Sequence, residues 1–387
     1  MFSKRKGVII IRSLGIPIVF LCLSLDLAFC QETPQQPLSP FAGKRAILDG
    51  DIPHWTNKEY VDHALTRIKK AGFNVYMPTV WQGRGTAWPS KYAPWDTKLA
   101  DRPKIDFDPL RYLIQEAHKL GIEVHPWFTL TLRQSNIFPE FALPGMPEKA
   151  FDVHNPQFRE LMSKLVDEVV SDYDVDGVNL DYVRAIGVCS SVTCQEEYKK
   201  KYNRSLEADS LQFKVLPGTV ASMIEYQETA VTSLVRKISE TVKKKKPHVL
   251  ISADVFVGHA PLNQGQSSIH WVNDGLLDVI FRMDYFRRIN IESMDATRRE
   301  LNNPNRQSLL ISNMSNPDEQ RFGQKPFARD GKWLVDTIST VFKRWPGTGI
   351  AVYFYKYLTD EQILALKNGP FQNHDIPPPV PQNLSIK

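Results

Sequence analysis

Short apolar runs alternate with amphipathic stretches along most of the chain, and this alternation organises it. Residues 45–48 predict a first strand, ending at Asp49-Gly50-Asp51. Asn57 or Thr56 then caps a helix through Ala71, with Tyr60, Ala64, Leu65 and Ile68 at helical spacing and Gly72 as the stop. Residues 73–81 alternate and are rich in β-formers, so they read as the second strand. Asp108 and Pro109 open a helix to Leu120, with Pro at its first position. Residues 122–130 give the third strand, and Asn155-Pro156 caps a helix to about Tyr173. Strands follow at 175–184, 249–257, 278–286, 308–314 and 349–357. Helices fall between and after them, at 219–246, 267–275, 291–301, 332–344 and 360–367.

Eight short apolar strands, each followed by a helix, have the period of an α/β protein with a (β/α)8 TIM barrel. An open doubly wound sheet is the alternative. It wants a Gly-rich first turn for a nucleotide, and the chain has none. No cofactor is implied.

The fourth strand carries the best functional clue: Asp176-Gly177-Val178-Asn179-Leu180-Asp181-Tyr182. Successive strand side chains point to opposite faces. Asn179 and Asp181 therefore share one face, and Val178, Leu180 and Tyr182 share the other. A carboxylate at the C-terminal end of a barrel strand is where such enzymes place their chemistry. The plain alternative is an Asp that caps the next helix or pairs with Arg184.

Outside the barrel, residues 1–30 read as a signal peptide, with a basic start, an apolar run and a cleavage site before Gln31. An uncleaved membrane anchor, or lipidation at Cys30, are the other readings. Residues 31–43 are Pro- and Gln-rich and read as a linker, and 372–387 as a Pro-rich tail. The barrel domain is thus expected over 44–371. Without Lys4, Arg5, Lys6, Arg12 and Asp26 the net charge falls from +5 to +2. That balance offers no case for nucleic acid. Two of the four cysteines lie in the signal. The other two, Cys189 and Cys194, fall in an insertion at 185–219, and in an exported protein they suggest a disulfide. A metal site needs more ligands than they supply.

Asp49, Asp181, Asp254 and Asp284 all lie near predicted C-terminal strand ends. Glycosidic bond cleavage needs one carboxyl as acid and another as nucleophile or base, and separate strands can hold such a pair. Aromatic residues accompany the acids: Trp55, Trp81, Trp127, Tyr182, Tyr285, Phe286, Tyr353 and Tyr355. Flat rings stack on sugar faces, while acids and amides bind hydroxyls. His125 either binds a hydroxyl, tunes an acid, or is bonded within the barrel. Asp181, Asp254 and Asp284 are the catalytic candidates. Asp49, Trp55, Trp81, His125, Trp127, Asn179, Tyr182, Arg184, Tyr285 and Tyr355 are the candidates for substrate binding. Two orders of explanation remain: a hydrolase of a polysaccharide, or an inactive barrel that binds glycan in a processing or export assembly. A metal-dependent deacetylase would need a His-rich ligand set, which the chain lacks.

Three stretches, GIEVHPWFTL at 121–130, DGVNLDYVR at 176–184 and WVNDGLLDVIFRMDYF at 271–286, resemble the bacterial glycosyl hydrolase-like family 10. The similarity extends over about residues 44–367, and Asp-Gly-x-x-Leu-Asp-Tyr-x-Arg is its most specific part. The resemblance implies an exported barrel with glycoside hydrolase activity on an envelope or extracellular polysaccharide; on the hydrolase reading, an endo-acting mode is expected. The fourth strand is also similar to the α-amylase pattern, whose strand-four Asp nucleophile maps onto Asp181. The strand-five acid of that pattern is a Glu, and Asp254 stands nearest here. Chitinase-like barrels need a Glu where this chain has Val183, which argues against their mechanism.

Overall fold

The computed structural model describes residues 38–100, 105–143, 149–256, 263–321 and 323–372. The predicted signal peptide, most of the linker and nearly all of the tail lie outside them. Nine strands occur in chain order: β1 (Arg45–Asp49), β2 (Val75–Trp81), β3 (Glu123–Val124), β4 (Trp127–Thr129), β5 (Gly177–Asp181), β6 (Leu250–Val255), β7 (Val279–Asp284), β8 (Gln307–Ser312) and β9 (Ile350–Tyr353). All pair in parallel, and β1 pairs with both β9 and β2, which closes the sheet. The barrel has eight strand positions. The expected third strand is split, because Pro126 has no N–H for the ladder; β3 and β4 both lie against β2.

Helices wrap the outside: α1 (Ile52–Trp55), α2 (Lys58–Ala71), α3 (Pro109–Lys119), α4 (Pro156–Asp172), α5 (Val192–Tyr202), α6 (Leu206–Val215), α7 (Ala221–Lys245), α8 (Ser268–Asn273), α9 (Ile291–Glu300), α10 (Gly331–Arg344) and α11 (Asp360–Lys367). Their ends follow the capping signals. Asn57, Asp108, Asn155 and Asp330 each accept a backbone N–H from the first turn of α2, α3, α4 and α10. Helix α2 buries Val61, Ala64, Leu65, Ile68 and Ala71, one stripe at spacings of three and four. Truncating a residue of that stripe, as in Leu65→Ala, costs about 2–5 kcal/mol. The segment 185–219 is not a plain loop; it folds into α5 and α6 over its own small core.

The two faces of the strands bury two different cores. Ile47, Tyr76, Val178, Leu180, Ile251, Ala253, Ile280 and Val352 face the helices. Ala46, Leu48, Val75, Met77, Trp127, Val279, Phe281 and Ala351 fill the barrel interior. Part of the expected linker belongs to that interior. Phe41 is fully buried, with its ring edge-on to Phe281 at 4.8 Å.

Candidate active site

Strand parity decides which acids meet. In β5, Asn179 and Asp181 point inward while Val178 and Leu180 pack on the helices. In β6, Ser252 and Asp254 point inward in the same way. Asn179 Nδ2 donates to Ser252 Oγ at 3.0 Å and to Asp254 Oδ1 at 3.1 Å. The register pairs Leu180 with Ala253, so Asp181 and Asp254 follow side by side at the C-terminal rim. Both are buried, at 7 % and 1 % exposed.

Two buried carboxyls this close do not both ionise. Burial raises the pKa of each. For Asp181 that effect is opposed by the Arg184 charge, by the Tyr182 backbone N–H at 2.6 Å and by the Trp127 indole. For Asp254 the Asp181 charge adds to burial, and only the Asn179 amide opposes them. Asp254 is therefore held further above the usual carboxylate range than Asp181, so Asp181 is the one of the pair that ionises first.

An aromatic wall surrounds the pair. Tyr285 stacks on Tyr353 with ring centroids 5.4 Å apart, and Trp127 meets Tyr353 edge-on at 6.3 Å. Burial and the two aspartates raise the Tyr285 hydroxyl well above its ordinary pKa. Tyr182 leaves the strand at φ 48, in the left-handed region, instead of continuing on the outer face. Its phenol adds to the raised pKa of both Tyr285 and Tyr353, so it has turned into the mouth. Arg184 lies over the Tyr182 ring at 4.2 Å and over Phe256 at 4.4 Å. The buried Asn179 Oδ1 has no hydrogen-bond partner among the described residues.

Several expected site residues lie elsewhere. Asp284 points outward from β7, where its carboxylate accepts the backbone N–H groups of Asn290 at 2.6 Å and Phe286 at 3.3 Å. It shapes the turn before α9 and is not brought to Asp181. Asp49 likewise faces the helix layer, bonded by Tyr76 at 2.7 Å and Tyr60 at 3.1 Å, and burial pushes its pKa up to about 6. Tyr355 belongs to that outer cluster, edge-on to Tyr60. Trp55 and Trp81 are fully buried among helix-facing residues. His125 is inside the barrel but below the mouth, paired with Glu123 at 3.2 Å. Gly177 is what admits it: a Cβ there would fall 2.5 Å from His125 Nδ1. Thus Trp127, Asn179, Tyr182, Arg184 and Tyr285 gather at the Asp181–Asp254 pair, while Asp49, Trp55, Trp81, His125, Asp284 and Tyr355 do not.

Ser252 and Tyr353 complete the mouth. From the sequence, Tyr353 is one of the aromatics that accompany the acids but not a substrate-binding candidate, and Ser252 is not singled out. Ser252 stands two residues before Asp254, so strand alternation alone puts it on the same face. Tyr353 lies two residues before Tyr355, but the chain leaves β9 between them. As a metal group, the described residues bring together only Asp152, Cys189 and Cys194. The two sulfurs of that group are already joined in a disulfide.

A closed parallel barrel with a carboxyl pair at its C-terminal rim defines the class of barrel glycoside hydrolase-like proteins. The chain belongs to the family Glycosyl hydrolase-like 10, whose model matches residues 47–141 and 145–308. It is 27% identical to glycosyl hydrolase DigH of Escherichia coli K12, over 73% of this chain and 77% of that protein. Similarity to glycosyl hydrolase YngK of Bacillus subtilis is 23%, over 51% of this chain and 40% of the relative. Among solved structures, the PgaB (BpsB) glycoside hydrolase domain of Bordetella bronchiseptica superposes with a TM-score of 0.58 at 10% identity, covering 84% of this chain and 98% of that one. The catalytic domain of a Paenibacillus polymyxa β-amylase gives 0.55 at 9% identity, over 87% and 99%. At these identities the two structures speak for the fold.

Proposed function

We propose that this protein hydrolyses glycosidic bonds within an extracellular or cell-envelope polysaccharide. One observation carries the reading: two buried carboxyls stand side by side on neighbouring strands at the C-terminal rim, and the Arg184 charge favours the ionised form of Asp181 but not of Asp254. An ionised Asp181 is suited to attack or stabilise the anomeric carbon. A protonated Asp254 is suited to protonate the leaving oxygen. Tyr285, Tyr353 and Trp127 supply ring faces for the sugar, and Asn179 and Arg184 set the state of the two acids. The family, and the names of its relatives, support a glycan as the substrate. Export is inferred from the basic-then-apolar start of the chain and from the Cys189–Cys194 disulfide. Among the described residues no helix is long and apolar enough to cross a membrane.

The test is a reducing-end assay of the purified protein against cell-wall glycan and exopolysaccharides, with product sizing to establish endo-action. Asp181→Asn keeps shape and hydrogen-bonding capacity and removes the charge. It is expected to bind glycan while losing about a thousandfold or more in turnover. Hydrolysis by the variant near the parent rate removes Asp181 from catalysis. Glycan binding without turnover by the parent supports an inactive, glycan-binding barrel instead.

A further inference from the structure

A second concavity, of about 870 Å³, opens between the 185–219 segment and α7. Ala185, the residue after Arg184 in the chain, is part of its lining. Ile186, Val188 and Phe213 give it apolar walls. Its polar lining is unusual in one respect. Gln227 of α7 is 2 % exposed; its Nε2 donates to Gly187 O at 3.2 Å, and its Oε1 is buried without a partner among the described residues. Gln264 Oε1, from the opposite side, is buried in the same state. Leaving a buried acceptor unpaired costs about 1–3 kcal/mol, so two on one cleft call for an explanation.

The floor that carries these groups is tightly built. Gly265 sits at φ +71, where a Cβ would come 2.4 Å from Gln227 O. Only glycine lets this segment press on α7. Gln264 O accepts from Ala185 N at 2.8 Å, and Gln266 Oε1 accepts from Phe256 N at 2.8 Å. The segment that supplies Gln264 is therefore bonded to the residue after Arg184 and to Phe256, over which Arg184 lies. The disulfide holds the facing segment closed on itself.

The two carbonyl oxygens are themselves covered, so their amides must turn outward to meet a ligand, and they then select one that donates hydrogen bonds. The apolar walls select one with a hydrocarbon face. The charges on the lining, Glu207 and Lys214, are opposite in sign and do not favour an ion of either kind. A sugar ring meets all three conditions, with hydroxyl donors around its edge and C–H groups on its faces. An anionic group would set its charge against the two carbonyls.

We propose that this cleft is a distal saccharide subsite, which holds residues of the glycan several units away from the bond at Asp181. The proposal rests on the hydrolase reading for the continuity of the chain, though not for the binding itself. The test is calorimetric titration of the full chain, in an Asp181→Asn background so that ligands survive. The probes are the dimers and hexamers of the cello-, malto-, xylo- and chito-oligosaccharide series. At least one hexamer is expected to bind about tenfold or more tightly than its dimer. Gln227→Leu should erase that advantage. Ser210→Trp, at the half-buried rim, should erase it too without disturbing the floor. Equal affinity for dimer and hexamer, binding of no hexamer, or variants that keep the full advantage would each overturn the subsite. If the parent cleaves no glycan while hexamer binding still depends on Gln227, the hydrolase reading fails and the subsite stands. Cleavage with length-independent binding leaves the hydrolase standing and overturns the subsite.

Discussion

Asn179 Nδ2 donates to Asp254 Oδ1 at 3.1 Å, across the junction of two neighbouring strands. The bond favours the charged form of a carboxyl that burial and the Asp181 charge hold neutral. Asn179 thereby adjusts how tightly Asp254 keeps its proton. Removing the amide should raise the Asp254 pKa further. In the mechanism proposed, activity requires Asp181 ionised and Asp254 protonated, so kcat/KM should be bell-shaped in pH, with Asp254 on the alkaline limb.

Asn179→Ala is expected to move that alkaline limb to higher pH while lowering kcat. Asp254→Asn should remove the limb altogether and lower the rate by about a hundredfold to ten-thousandfold. Full pH profiles of parent and variants check both. An alkaline limb unmoved in Asn179→Ala would separate Asp254 from the limb.

The stereochemical outcome follows from the strand spacing. Adjacent strands run about 4.8 Å apart, and Asp181 and Asp254 leave neighbouring strands at one level. Such a pair is nearer the roughly 5 Å of retaining enzymes than the about 6.5–9.5 Å that leaves room for water in inverting ones. Proton NMR of the first-formed product should show the substrate's own anomeric configuration. The opposite anomer as first product would require a different second carboxyl.

Asp284 is the third acid that the sequence offers, and its place in the turn before α9 predicts a different phenotype. Asp284→Asn retains one carbonyl oxygen but weakens the bonds to the Asn290 and Phe286 backbone. A stability loss of about 1–3 kcal/mol is expected, with kcat/KM within about tenfold of the parent when both are folded. Denaturant titration and initial rates on the same preparations check this. A loss of turnover as deep as that of Asp181→Asn, with stability unchanged, would return Asp284 to the catalytic set.

Asp49 predicts a pH-dependent stability. Its folded pKa of about 6 lies above its unfolded value, so the folded state binds the proton more tightly. The associated stability is fully present below about pH 4 and lost as the pH rises through about 6, a fall of about 3 kcal/mol. Asp49→Asn cannot titrate. Urea denaturation should show the parent's advantage over the variant shrinking by roughly that amount between about pH 4 and pH 7. An advantage that grows with pH would contradict the burial of Asp49.

The alternation of apolar strands with amphipathic helices was enough to determine the barrel. Those periods are local, and the caps at Asn57, Asp108 and Asn155 mark helix starts through side chains only two or three residues from the groups they bond. Asp181 and Asn179 were legible as one polar face because their neighbours Val178 and Leu180 are apolar. Asp254 was legible as an acid at a strand end. The tertiary structure alone separated it from Asp284 and Asp49. A barrel strand is buried on both faces, and β1 and β7, with an Arg and an Asp each among their apolar residues, are buried along nearly their whole length, so the sequence does not say which side is inside. In β7 that ambiguity hid the inward face of Tyr285 and the outward face of Asp284. For Trp55, Trp81 and Tyr355 the deciding contact is with residues distant in the chain or beyond a strand end, where local alternation stops. The pairing of Asp181 with Asp254 is likewise a product of the tertiary fold. It exists because strands about seventy residues apart in sequence come to lie one hydrogen-bond ladder apart.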